Sequence, residues 1–212
     1  MRVLSFSEDA YTLWALNNEM DSILDQLADN TAAKEVLFLP SFGRRAGDDR
    51  PQFGQFDFIL ITESAVYPAE SRWDISPGIR DGVLQLKAPQ CKRHIIFQKY
   101  IHHWYEAGTD DWADFSEQND GYLIYFYNDE RIEVPIPPAN SQLAKNLGYV
   151  MKLIKHHFPE EKPPVRNVLL YLYNGGRAFL PEEVKGTDCI FEQVNVDYSK
   201  DQVEKTRFLD LM

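Results

Sequence analysis

Two neighbouring strands and the turn between them are predicted by the stretch Gln55-Phe56-Asp57-Phe58-Ile59-Leu60-Ile61-Thr62-Glu63-Ser64-Ala65-Val66-Tyr67-Pro68-Ala69-Glu70-Ser71-Arg72-Trp73. Residues 56–61 and 65–69 are rich in the β-branched and aromatic side chains that favour strands. A hairpin centred between Glu63 and Ser64 places Asp57 directly opposite Glu70, with their Cβ atoms about 5 Å apart. The sequence therefore predicts a cross-strand pair of carboxylates.

The same register places a basic residue beside this acidic pair. Because side chains alternate between the two faces of a strand, Gln55, Asp57, Glu70 and Arg72 share one face. Two carboxylates at this distance repel each other by about 3 kcal/mol at an effective dielectric constant of about 20. A divalent cation, a shared proton or the Arg72 guanidinium would offset that repulsion. If these four residues carry no chemistry, they form an ion-paired, polar sheet face at the rim of a cleft.

Strands and helices alternate along the rest of the chain. The predicted elements are a helix over residues 8–29, a strand over 36–39, a helix over 89–107, an acidic loop over 110–120, a hairpin over 122–136, a helix from Asn140 to about residue 157, a strand over 165–173, a strand near 190–194 and a terminal helix from about residue 201. Such an order predicts an α/β fold with a mixed central sheet flanked by helices.

Length and charge limit the classes of function. The 212 residues favour a single domain over residues 1–212. With 22 basic and 33 acidic residues, the net charge of −11 argues against a sequence-specific DNA-binding protein of high affinity. Two cysteines form no disulfide framework, and no apolar run is long enough for a signal peptide or a membrane span. We therefore expect a cytoplasmic protein without a membrane partner, and the sequence leaves its oligomeric state open.

The motif around Asp57 resembles that of the restriction-endonuclease-like nuclease superfamily, and its nuclease-related-domain branch in particular. That motif has an aspartate at the head of one strand, followed on the next strand by a glutamate, one further residue and a lysine. Here it reads Asp57, then Glu70-Ser71-Arg72-Trp73. The resemblance implies a core of helix, three strands, helix and strand. It further implies an inserted helix and hairpin over residues 74–138 and a C-terminal extension over 175–212.

The resemblance implies a function and the residues that carry it. Asp57 and Glu70 would ligate Mg²⁺ or Mn²⁺ for phosphodiester hydrolysis of DNA with little sequence preference. Glu19, an acid on the first helix, would complete the metal site. The family glutamine would be Gln142, at the head of the helix that precedes a core strand, with Gln98 as the competing assignment.

One departure from the family motif is Arg72, which stands where the family has lysine. A guanidinium stays protonated, so it orients water or phosphate but does not accept a proton. Two interpretations follow. Either the chain is a nuclease, with full or weakened catalysis, or it is a non-catalytic binding module on a degenerate nuclease fold.

Two sets of basic residues suit a phosphate-binding groove. Lys145, Lys152 and Lys155 fall near one polar face of the helix that ends near residue 157, and Arg44, Arg45 and Arg50 share a loop. The alternative for both sets is a solvated surface on an acidic protein.

Overall fold

The computed structural model describes residues 2–4, 7–42, 54–74, 79–80, 82–127, 130–175, 180–185, 189–201 and 208–210. The elements are β1 (Arg2–Leu4), α1 (Glu8–Asn18), α2 (Met20–Gln26), β2 (Ala33–Phe38), β3 (Phe58–Thr62), β4 (Val66–Trp73), β5 (Ile79–Arg80), β6 (Val83–Gln85), α3 (Ala88–Ala107), α4 (Trp112–Gln118), β7 (Tyr122–Tyr127), β8 (Glu130–Pro135), α5 (Gln142–His157), β9 (Val168–Tyr173), β10 (Glu183–Lys185), β11 (Glu192–Asp197) and β12 (Phe208–Asp210). The loop that carries Arg44, Arg45 and Arg50 lies outside the described residues.

The chain forms two compact units. The first consists of Met1–Leu39, Phe56–Ala88 and Val165–Met212, and the second of Pro40–Gln55 and Pro89–Pro164. The first unit contains α1, α2 and every described strand except β7 and β8. The second contains α4, α5, the β7–β8 hairpin and nearly all of α3.

A mixed five-stranded sheet, with strand order β11-β9-β4-β3-β2, is the centre of the first unit. β2, β3 and β4 are antiparallel neighbours, whereas β9 runs parallel to β4 and β11 runs parallel to β9. Helices α1 and α2 bury Trp14, Ala15 and Ile23 against this sheet, in one apolar core with Phe58, Leu60 and other residues from one sheet face. The mixed α/β fold with a central mixed sheet and helices packed against it is therefore confirmed.

The predicted register of β3 and β4 is confirmed. Phe58 pairs with Ala69, Ile59 with Pro68, Leu60 with Tyr67 and Ile61 with Val66, as a hairpin centred between residues 63 and 64 requires. All five residues of β3 are buried, because both faces of this central strand are covered.

The turn end of this hairpin is fixed by one buried carboxylate. Asp29, which is 5% exposed, accepts hydrogen bonds from the hydroxyl groups of Thr31, Thr62, Ser64 and Tyr67 at 2.6–2.8 Å. The backbone N–H of Thr31 donates to it as well, at 2.9 Å. Burial alone would raise the pKa of Asp29, but these hydrogen bonds outweigh it and hold that pKa well below its ordinary value.

The predicted helix over residues 8–29 is wrong in two places. It is interrupted at Glu19, between α1 and α2, and α2 ends at Gln26. Asn17 donates its side-chain amide to the side chain of Asn18 at 2.6 Å. Two adjacent asparagines have low helix propensity, which favours a break at this point.

The predicted acidic loop is also wrong in part, since α4 lies within it. Asp111 caps this helix by accepting from the backbone N–H groups of Ala113 and Asp114, and Trp112 and Phe115 bury its apolar side. The carboxylate of Asp111, one of the acidic residues that suggested a loop, is the N-cap of this helix.

The predicted terminal helix from about residue 201 lies mostly outside the described residues, and the described residues on either side are not α-helical. Residues 198–201 form a single 3-10 turn, residues 202–207 lie outside the described part, and β12 pairs antiparallel with β1. Among the described residues, no helix combines the length and the apolar character that crossing a membrane requires.

Candidate functional site

The candidate site lies where β3 and β4 part. Their backbone pairing ends with the N–H of Asp57, which donates to the carbonyl oxygen of Ala69 at 3.2 Å. Beyond that bond, two carboxylates accept the hydrogen bonds that backbone N–H groups of β4 would otherwise donate to a neighbouring strand. The N–H of Ser71 donates to Asp57 Oδ2 at 2.6 Å, and the N–H of Trp73 donates to Glu8 Oε2 at 2.9 Å. Side chains therefore satisfy the edge of β4 that β3 leaves uncovered.

The charges of Asp57 and Glu70 interact at this point, although the strand pairing itself stops at Phe58 and Ala69. Glu70 is almost fully buried, at 2% exposure. Burial raises the pKa of Asp57, and the negative charges of Glu70 and Glu8 raise it further. The hydrogen bond from Ser71 and the positive charge of Arg72 oppose these effects, and the pKa of Asp57 reaches about 7. The pair is thus held together at an electrostatic cost, which is a common property of functional carboxylates.

The Arg72 guanidinium is fixed by its own strand and by the first helix. Its Nη1 donates to the carbonyl oxygen of Ser71 at 2.5 Å and lies 3.7 Å from Glu8 Oε1. The side chain is 20% exposed, so solvent screens this ion pair only in part. Arg72 therefore brings a permanent positive charge to the cluster of carboxylates.

Glu8 is the residue that sequence reasoning missed. It lies in the first turn of α1, next to the N-cap residue Ser7, where an acidic side chain is readily explained by the helix dipole. In the structure its carboxylate reaches β4, where it contacts both Trp73 and Arg72. Its position at the N-terminus of α1 was the available signal, because that end of the helix lies next to the C-terminal half of β4.

One predicted site residue, Glu19, lies at the other end of α1 from Glu8. Glu19 follows the last residue of α1, about 16 Å along the helix axis from Glu8 at 1.5 Å per residue. Gln142 opens α5 in the second unit, where it is exposed and donates to Asn146 Oδ1 at 2.7 Å. The competing residue Gln98 lies on α3 in the same unit.

The chemistry of the acidic pair suits a hard divalent cation. Asp57 and Glu70 offer oxygen ligands, which Mg²⁺ and Mn²⁺ prefer, and a cation would offset the repulsion that raises the pKa of Asp57. Within the described ranges, no three His, Cys, Asp or Glu side chains group into a ready metal site. Asp57 and Glu70 are therefore the two residues that could ligate a cation here. Glu8 lies next to them, but its carboxylate already accepts a hydrogen bond from the N–H of Trp73.

Compared with known proteins, the chain matches no family model, no curated protein and no solved structure. The functional assignment therefore depends on the chemistry of the site.

Proposed function

We propose that this chain is a Mg²⁺- or Mn²⁺-dependent phosphodiesterase that hydrolyses DNA with little sequence preference. The observation that carries the proposal is the interaction of Asp57 with the buried Glu70. Burial of Asp57 and the negative charge of Glu70 together raise the pKa of Asp57 to about 7. Such a pair costs stability unless a cation or a proton occupies it. A divalent cation held there would serve phosphoryl chemistry directly.

The order of the elements supports this proposal. α1, β2, β3, β4, α5 and β9 follow one another along the chain in the order that the nuclease resemblance implies. In this arrangement of three antiparallel strands and the parallel β9, the N-terminal end of β3 lies next to the C-terminal half of β4. Asp57 and Glu70 lie at that place.

Each residue of the site has a distinct part in the proposed reaction. Asp57 and Glu70 would hold the metal, which when bound acidifies a water ligand and stabilises the charge that develops on the scissile phosphate. Arg72 would orient the attacking water or a phosphate oxygen through its N–H groups, without accepting a proton. Glu8 would hold both Arg72 and the edge of β4 in place.

A cleavage assay tests the proposal. The purified chain is incubated with circular and linear DNA in Mg²⁺ or Mn²⁺, and Asp57→Ala and Glu70→Ala are expected to abolish cleavage. Asp9→Ala is the matched control, because Asp9 is an exposed acid on α1. Since Asp57 must lose its proton to hold a cation, the wild-type rate should rise as the pH increases through about 7. Cleavage that survives both alanine substitutions would contradict the proposal.

The second candidate is a non-catalytic binding module on the same fold. The position of Arg72 favours it, since the positive charge of Arg72 lowers the pKa of Asp57 and so offsets part of the repulsion that a metal ion would otherwise offset. Calorimetry separates the two candidates. Heat from Mn²⁺ binding at one site, lost in Glu70→Ala, supports the enzyme. A folded protein that gives no such heat supports the module.

A further inference from the structure

One side of α5 is basic and aromatic, although the chain as a whole carries a net charge of −11. The exposed positions of this helix follow one helical stripe, which we call the α5 stripe: Gln142, Lys145, Tyr149, Lys152 and His156. The opposite side is buried. The 16 residues of α5 include no aspartate or glutamate. The stripe is therefore a local positive surface on an acidic protein.

The lysines of α5 differ in their surroundings. Lys155 forms an ion pair with Asp110, with Nζ 2.9 Å from Oδ1, and also donates to the carbonyl oxygen of Thr109 at 3.5 Å. In the described part of the chain, Lys145 and Lys152 have no such acidic partner. Their charges are thus available to a ligand, whereas the charge of Lys155 is already used within the protein.

Tyr149 lies between these two lysines on the stripe. Its side chain is 66% exposed, which is unusual for a large aromatic residue on a helix whose other face is packed. Lys145 and Lys152 are seven residues apart, or about 10 Å along the helix axis. An aromatic ring between two free cations can stack on a base while the ammonium groups contact the phosphates on either side.

We infer that the α5 stripe binds single-stranded nucleic acid. Charge complementarity selects a polyanion, and the exposed ring of Tyr149 selects one whose bases are unpaired, since a duplex hides the faces of its bases. The inference rests on the proposed function only for the choice of DNA as the probe. It concerns a surface of the second unit, which contains α5.

Binding is measured in EDTA by fluorescence anisotropy with a labelled oligodeoxythymidylate over a range of salt concentrations. EDTA prevents metal-dependent cleavage, so that binding and hydrolysis are read separately. For Lys145→Gln with Lys152→Gln, we expect the slope of log affinity against log salt to fall by about 1.4, or about 0.7 for each lost phosphate contact on a single strand. Tyr149→Ala should weaken binding about 5-fold to 100-fold with an unchanged slope.

Two controls distinguish the stripe from a general effect of charge. Lys155→Gln removes the same charge from the same helix and should leave both affinity and slope unchanged. Tyr149→Phe keeps the ring and should bind as the wild type does. Failure of the wild type to bind, equal losses in Lys155→Gln and Lys152→Gln, or equal affinity for a duplex would overturn the inference. Binding without cleavage would leave it intact and contradict the proposed hydrolysis instead.

Discussion

The carboxylate of Asp57 accepts a 2.6 Å hydrogen bond from the backbone N–H of Ser71, the residue between Glu70 and Arg72. This bond keeps Asp57 next to Glu70 although both carry carboxylates. It forms only because β3 and β4 part after Ala69, which leaves the N–H of Ser71 facing an open edge. The position of the acidic pair therefore follows from the point at which the pairing of β3 and β4 ends.

Asp57→Asn should stabilise the fold at alkaline pH. The pKa of Asp57 is about 7 in the folded chain, and its ordinary value of 3.8 applies to the unfolded chain. Between pH 3.8 and about pH 7 the folded chain binds more protons than the unfolded chain, so the stability of the fold falls as the pH rises. Asparagine keeps the acceptor for Ser71 and removes the charge next to Glu70. One pKa unit corresponds to about 1.4 kcal/mol, and after screening by solvent we expect a gain on the order of 2 kcal/mol above about pH 7.

Urea unfolding of the wild type and Asp57→Asn at about pH 5 and about pH 8 measures this difference. The gain should be much smaller at the lower pH, where Asp57 is already protonated in the folded chain. Asp25→Asn, an exposed acid on α2, is the control. A gain of the same size at both pH values would show that Asp57 is ionised throughout.

Glu8→Gln should reduce cleavage and Mn²⁺ affinity about tenfold, as is typical when a group that orients metal ligands is lost. The glutamine keeps an oxygen for the N–H of Trp73, so the fold should survive, but the negative charge beside Arg72 disappears. Glu19→Gln at the far end of α1 should have no effect. Initial rates and calorimetric titrations measure both variants, and an equal loss in the two would disprove a specific role for Glu8.

Local patterns predicted the hairpin and the long amphipathic helix. The register of β3 and β4 follows from the position of the turn, since alternation with a period of two then fixes every facing pair. The apolar stripe of α5 likewise predicted that helix. The helix begins later than the expected Asn140, because Ser141 is its cap.

Other features depend on contacts between distant parts of the chain. β1 and β12 have three residues each and form only through each other, so neither has a local signal. The bond between Glu8 and Trp73 joins residues 65 positions apart. Helix α4 was missed for a different reason, since Asp111 favours a loop and a helix cap equally.

Arg72→Lys should raise the rate of cleavage. The guanidinium is held by the carbonyl oxygen of Ser71 and by Glu8. A guanidinium does not serve as a proton donor or acceptor in catalysis. An ammonium group at this position matches the nuclease motif that this segment resembles, and it can take part in proton transfer. We expect an increase of about tenfold or more, at the lower end of what a positioned acid or base contributes.

The nicking rate of supercoiled plasmid at fixed metal concentration measures the effect of Arg72→Lys. The same substitution at Arg131, which is exposed on β8, is the control. A lower rate in Arg72→Lys with an unchanged fold would show that the guanidinium itself is fitted to the site, through its contacts with Ser71 and Glu8.

Asp29→Asn should destabilise the fold at neutral pH by about 2 kcal/mol, because charge-assisted hydrogen bonds from several hydroxyl groups are weakened together. The pKa of Asp29 is lower in the folded chain than in the unfolded chain. Its ionised form therefore stabilises the fold above about pH 4, and this contribution is lost as the pH falls further. The difference between wild type and variant should shrink in acid for that reason.

Thermal or urea unfolding between about pH 7 and about pH 3 tests the role of Asp29. The network extends through Tyr67 to Arg166, whose guanidinium donates to the Tyr67 hydroxyl at 3.1 Å and to the carbonyl oxygen of Leu27 at 2.7 Å. Tyr67→Phe removes that link and should cost less than Asp29→Asn, since it breaks one bond to the carboxylate and leaves the others. A Tyr67→Phe variant less stable than Asp29→Asn would place the centre of the network at the tyrosine instead.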